Sequence, residues 1–177
     1  VAGTMWMKMG THSFGTAIDL CDLGLNQIEE TDEEFRIGAM VTLRQMEKHP
    51  GLAAYSCGAV EAAFKDIVGV QFRNLATVGG SLWGRFGFSD VLTLLLALDA
   101  QVELHHAGRM SLEEFTQLPR QQHDILTHVL IPKGARQVVY QSQRNISTDF
   151  PTLTCALSKK DGEYTCVIGA RPQMAQV

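Results

Sequence analysis
The chain has 177 residues, 45% of them hydrophobic and 19% charged, with a net charge of -4 at pH 7. This is the make-up of an ordinary soluble globular protein, long enough for one good core or two small ones. The mild charge and the lack of a dense Lys/Arg run exclude nucleic acid and anionic membrane as expected partners.

In chain order, Glu34 to Ala39 reads as a short strand. Thr42-Leu43-Arg44-Gln45 is a capping box that opens a helix closed before Pro50. Gly51 to Ile67 predicts a second helix. Val91 to Leu98 is apolar all round and predicts a buried helix, capped by Ser89 or Asp90 and far too short to cross a bilayer. Gln101 to His105 alternates as a strand, turns at Ala107-Gly108, and is followed by a second capping box over Ser111 to Glu114. Ile125 to Ile131 alternates and stops at Pro132. Thr152 to Ser158 and Glu163 to Ile168 flank Asp161-Gly162, a strong hairpin signal. The expected fold class is α+β, with mixed strands and short helices and a domain boundary near Pro132 to Arg136.

The segment Arg73 to Asp90, RNLATVGGSLWGRFGFSD, carries the chemistry. Gly79 and Gly80 let the backbone approach an anion closely, with the N–H groups of Val78 to Ser81 converging on it. Thr77 and Ser81 add hydroxyl donors on either side. The same string also reads as an ordinary turn with polar flanks. Asp90 suits sugar hydroxyls but equally suits a helix N-cap. Trp83, Phe86 and Phe88 could line a cofactor or simply make core.

The cysteines Cys21, Cys57, Cys155 and Cys166 form no C-x-x-C pair and read as reduced core thiols, with no zinc site or iron-sulfur cluster on this chain. His105 and His106, neighbours on an expected strand, would leave opposite faces and share no metal. No nucleophile and base pairing is evident. With no recognisable signal peptide, the expected location is cytoplasmic.

The glycine segment resembles the second flavin loop of the FAD subunits of molybdenum hydroxylases, which include xanthine dehydrogenase and the medium subunit of carbon monoxide dehydrogenase. The family pattern, approximately R-N-x-A-T-I-G-G-N and then D-L-x-P-x-L-L-A-L-D-A, is matched by Arg73, Asn74, Ala76, Thr77, Gly79, Gly80, Asp90 and the run Leu94 to Ala100. Further matches follow in order: Ile37-Gly38-Ala39, Thr42-Leu43, Gly108-Arg109, Ile125-Leu126-Thr127, Ile131-Pro132 and Arg144 ahead of Asp149-Phe150.

The resemblance implies a two-part FAD-binding domain of this type with mixed sheets, one of them small and parallel-rich, over residues 1–132, preceded by a strand and helix not in this numbering. Residues 133–177 would begin an α/β C-terminal domain. It implies FAD as cofactor, held by a first loop of Ala2, Gly3, Thr4 and Met5 and a second of Thr77, Val78, Gly79, Gly80 and Ser81, with Asp90 on the sugar. Aliphatic side chains at Ile67, Ile125 and Leu126 would lie near the cofactor.

Ala2 and Met5-Trp6 depart from the usual A-G-G-T-D-L of the first loop, Ser81 replaces the commoner Asn, and Tyr140 stands where the family often places a lysine. Arg144 and Asp149 are a candidate ion pair. The implied partners are a molybdopterin-binding large subunit, an iron-sulfur small subunit, and NAD or another electron acceptor. The departures leave open a scaffold of the same fold without FAD, and the glycine loop alone leaves open a stand-alone nucleotide-binding module.

Overall fold
The computed structural model describes residues 3–11, 13–120, 123–169 and 174–177. After two single-turn 3-10 helices, Met7–Met9 and Cys21–Leu23, β1 (Ile28–Glu30) and β2 (Glu34–Gly38) pair as a hairpin. Six helices follow: α1 (Leu43–Lys48), α2 (Pro50–Tyr55), α3 (Ala59–Phe64), α4 (Val70–Arg73), α5 (Val78–Gly84) and α6 (Asp90–Ala97). Then come β3 (Gln101–Leu104), β4 (Gly108–Ser111), α7 (Leu112–Gln117) and β5 (Leu126–Pro132). The remainder is a meander of β6 (Arg136–Gln143), β7 (Leu153–Lys160) and β8 (Glu163–Gly169).

The strands form a five-stranded sheet in the order β1-β2-β5-β3-β4 and a three-stranded sheet in the order β6-β7-β8. The α+β class expected from sequence is the class observed. The small parallel-rich sheet is not found among the described residues, where every strand pairing is antiparallel.

Local chemistry explains most boundaries. Thr42 and Ser111 each accept a hydrogen bond from the backbone three residues on, while Gln45 and Glu114 reach back, so both capping boxes form. Asp161 and Gly162 both take positive φ, 51° and 87°, and close the β7–β8 hairpin in the conformation that matches strand twist.

The single helix expected over 51–67 is instead two. Cys57 and Gly58 both sit at positive φ, 51° and 84°, which ends α2 and lets α3 start in a new direction. The two histidines also differ from expectation. They lie in the turn after β3, not on opposite strand faces, with ring centroids 4.6 Å apart.

Helix α6 is the hub. All eight of its residues are buried, and it packs on α3, α5 and α7 on one side and on β6, β7 and β8 on the other. Its leucines Leu92, Leu94 and Leu95 have no exposed surface. Each contributes on the order of 1.5–3 kcal/mol relative to an exposed position. Val138, Tyr140, Ala156 and Val167 of the second sheet belong to the same apolar cluster, so the core runs without interruption across both sheets.

Candidate cofactor site
Thr77 is the N-cap of α5, its Oγ accepting from the Gly80 N–H at 3.2 Å. The Val78 N–H donates to the Val41 carbonyl at 2.9 Å, Gly79 to Ala39 at 3.0 Å and Ser81 to Thr77 at 3.0 Å. The Ser81 hydroxyl also turns back to the Thr77 carbonyl, at 2.9 Å. All four amides expected to converge on an anion therefore already have partners inside the protein.

The glycines serve packing instead. A methyl group at Gly79 would stand 2.6 Å from the Cβ of Ala39 and 2.7 Å from its carbonyl oxygen. Only glycine lets α5 lie directly against the end of β2. Gly80 is exposed, and a methyl there would meet only the Thr77 Oγ, at 3.1 Å. The sequence string could not distinguish these roles, because an N-cap followed by a close-packed helix and an anion loop both call for T-x-G-G.

The first loop is brought against the second. Gly3 and Thr4 take positive φ, 56° and 52°, and a methyl at Gly3 would fall 2.3 Å from the Leu75 carbonyl oxygen. From there the backbone makes one tight turn: the Lys8 N–H donates to Thr4 at 3.0 Å, Met9 to Trp6 at 3.2 Å and Gly10 to Met7 at 3.1 Å. Among the described residues, the N–H groups of Gly3, Thr4, Met5, Trp6 and Met7 donate to no acceptor. The turn differs in this from the glycine pair, whose amides are bonded within the protein. Ala2, the other residue expected here, lies outside the described residues.

Leu126, also expected near the cofactor, is buried at the start of β5. The next residue, Thr127, accepts from the Ala39 N–H at 2.8 Å, which sets this strand end beside Gly79. Ile125 is instead 43% exposed and faces away from the core. Thr77 to Ser81, Gly3 to Met5 and Leu126 thus gather around Ala39 and Leu75.

Asp90 is placed differently from either expectation. Ser89 caps α6, accepting from the Leu92 N–H at 3.1 Å. The Asp90 carboxylate is 4% exposed and accepts from the Tyr140 hydroxyl and from Nη2 of Arg144. Burial raises its pKa, against the opposing hydrogen bonds from Arg144 and Tyr140. Burial, followed by the charge of Asp90, also pushes the Tyr140 hydroxyl well above its ordinary range. Tyr140, where the family often has lysine, is thus a neutral donor to Asp90.

The candidate ion pair of Arg144 and Asp149 does not form. Arg144 pairs with Asp90 and donates Nη1 to the Asp149 backbone carbonyl at 2.6 Å, while the Asp149 carboxylate accepts from the Phe150 N–H at 2.7 Å.

The aromatic residues divide. Trp83 packs on Phe115 with a centroid separation of 5.8 Å, part of the core. Phe86 and Phe88 stack on each other at 5.2 Å and both meet Trp6 of the first loop, and Phe88 also meets Phe150 of the β6–β7 loop. The cysteines are not core residues: Cys21, Cys57 and Cys166 are exposed free thiols and Cys155 is half-buried.

Residues 3–134 match the model of the FAD binding domain in molybdopterin dehydrogenases, and the chain belongs to that family. The protein YgfM of Escherichia coli (strain K12) is 27% identical over 145 residues, covering 82% of this chain and 54% of YgfM. The nicotine 6-hydroxylase medium subunit of Paenarthrobacter nicotinovorans is 35% identical over 109 residues, covering 60% of this chain and 38% of that subunit. Quinoline 2-oxidoreductase from Pseudomonas putida 86 shares the fold with a TM-score of 0.85 at 19% identity, over 99% of this chain and 67% of that one. The chain spans about half the length of YgfM, at 54%.

The family's cofactor is FAD, and its members are oxidoreductase components. The N–H groups of Gly3 to Met7, without an acceptor among the described residues, suit a diphosphate, on a turn that opens with Gly3 and Thr4 at positive φ and is right-handed by Trp6.

Proposed function
We propose that this chain is the FAD-binding, electron-transferring part of a multi-subunit molybdenum hydroxylase resembling xanthine dehydrogenase. A molybdopterin-binding large subunit would oxidise the substrate, an iron-sulfur small subunit would pass the electrons on, and NAD or another acceptor would take them. Bound FAD supplies the redox centre between one-electron and two-electron partners. Gly3, Thr4 and Met5 hold its diphosphate through backbone N–H groups. Thr77 to Ser81 form the adjoining wall, with Gly80 as its open face, and Leu126 lies behind them.

The observation that carries this reading is the turn of unpaired amides held against Leu75 in a chain of this family. The family match ends at residue 134, and the chain passes from one sheet to the other between Pro132 and Arg136. Both support a FAD-binding domain over 1–132 and the start of a C-terminal domain over 133–177, two parts that share one apolar core. Among the described residues no helix is long and apolar enough to cross a membrane. We place the protein in the cytoplasm.

A second reading, a scaffold of the same fold that no longer holds FAD, is favoured by one set of facts. The amides of Val78 to Ser81 and the carboxylate of Asp90 are already used within the protein. The visible spectrum of the purified full-length protein, after FAD is added and the excess removed, separates the two. A retained flavin band that bleaches on reduction supports the electron relay. Its absence, with the protein folded, removes the electron relay and brings the scaffold reading to the front.

A further inference from the structure
Trp6 sits in the middle of the turn whose amides are free, and its indole is only partly covered, at 42% exposure. The covering comes from three rings on two other segments. Phe86 lies 5.2 Å from it between centroids, Phe88 5.8 Å and Phe150 6.0 Å, the last with the planes within 20° of parallel. Phe88 and Phe150 are themselves 4.3 Å apart, so the three phenylalanines form one platform from the α5–α6 loop and the β6–β7 loop.

Among the described residues, the turn's backbone bonds do not tie it to the rest of the chain. Its own hydrogen bonds are local, none joining residues more than four positions apart. Beyond the rings, the approach of Gly3 to Leu75 and a half-buried Met5 tie it to the body of the protein. A short turn with only local hydrogen bonds opens easily, and a side chain packed against other elements opposes that opening.

We propose that Trp6 is a positioning residue for FAD, anchoring the diphosphate-binding turn to the Phe86, Phe88 and Phe150 platform so that its amides are set before the cofactor arrives. This rests on the FAD reading above. Phe150 belongs to the β6–β7 loop, whose Arg144 is paired with Asp90 and bonded to the Asp149 carbonyl. The platform is therefore braced by the buried seam between the two sheets. Freeing the indole from all three rings at once should weaken FAD binding by about tenfold or more.

The test compares Trp6→Ala, Trp6→Phe and Phe150→Ala in the full-length protein. FAD titration should give a roughly tenfold higher Kd for Trp6→Ala and for Phe150→Ala, no further loss in the double variant, and near-normal binding for Trp6→Phe. Wild-type affinity in Trp6→Ala overturns the anchor. A parallel measurement needs no flavin: the amides of Lys8, Met9 and Gly10 should lose hydrogen-exchange protection in Trp6→Ala and keep it in Trp6→Phe. Unchanged protection overturns the proposal even if the wild type binds no FAD, an outcome that would separately remove the FAD reading.

Discussion
Arg144, just beyond the end of β6, reaches the carboxylate of Asp90 in the first turn of α6, and both side chains are more than nine-tenths buried. A charge pair so far from water holds only while both members are present. Replacing Asp90 by Asn leaves the guanidinium buried and uncompensated, with its Nε already lacking a partner. The expected cost is about 3–5 kcal/mol in denaturant unfolding. Adding Arg144→Met should recover a good part of it. A loss of less than about 1 kcal/mol for Asp90→Asn would show that the pair carries little of the seam.

Two buried carboxylates pull stability in opposite directions in acid. Burial pushes Glu47 up, but hydrogen bonds from Arg44 and Arg73 more than offset it, and its pKa lies below the ordinary value of 4.5. Its contribution is full above that value and is lost as pH falls toward the folded pKa. Asp90 is raised, so its contribution runs the other way and declines as pH climbs above 3.8 toward its folded pKa. Unfolding midpoints followed across the acid range should therefore fall less steeply in Glu47→Gln than in the wild type. They should fall more steeply in Asp90→Asn, relative to each variant's neutral value.

Neighbouring glycines should respond unequally to the same change. Gly79→Ala drives a methyl into Ala39 at 2.6 Å and should cost about 1–3 kcal/mol. Gly80→Ala meets only the end of Thr77 and gains up to about 1 kcal/mol of helix propensity, so it should be neutral or mildly stabilising. Thermal unfolding of both variants without cofactor decides this, and equal effects would contradict the packing role given to Gly79.

Gly3→Ala places a methyl 2.3 Å from the Leu75 carbonyl in a backbone of φ 56°. Because the turn contributes little to the core, unfolding should shift by no more than about 1 kcal/mol while FAD affinity falls at least tenfold. Calorimetric titration with FAD, beside a melting curve of the apo-protein, separates the two effects. A large stability loss with unchanged affinity would place the amide donors elsewhere.

Much of this architecture was legible where a few adjacent residues decide it. The capping boxes at Thr42 and Ser111, the Asp161-Gly162 hairpin and the all-apolar α6 are local patterns, and they formed as read. The break at Cys57 was missed because a non-glycine residue at positive φ leaves little mark on hydrophobic periodicity. The site was harder. Whether Asp90 faces a sugar, a helix amide or an arginine depends on Tyr140 and Arg144, some fifty residues away. The ring contacts of Trp6 with Phe150 are likewise set only by tertiary packing.

Helix α6 carries three polar groups on one stripe, and each is bonded to the second sheet: Asp90 to Tyr140, the Thr93 hydroxyl to Thr154 at 2.8 Å, and the Ala97 carbonyl to Arg136 at 2.7 Å. The family match stops at residue 134, before the sheet that satisfies them. A protein cut there would present a bare hydrophobic wall studded with stranded hydrogen-bonding groups. Its expected fate is aggregation, so the boundary of a sequence family is here no guide to the smallest piece that folds.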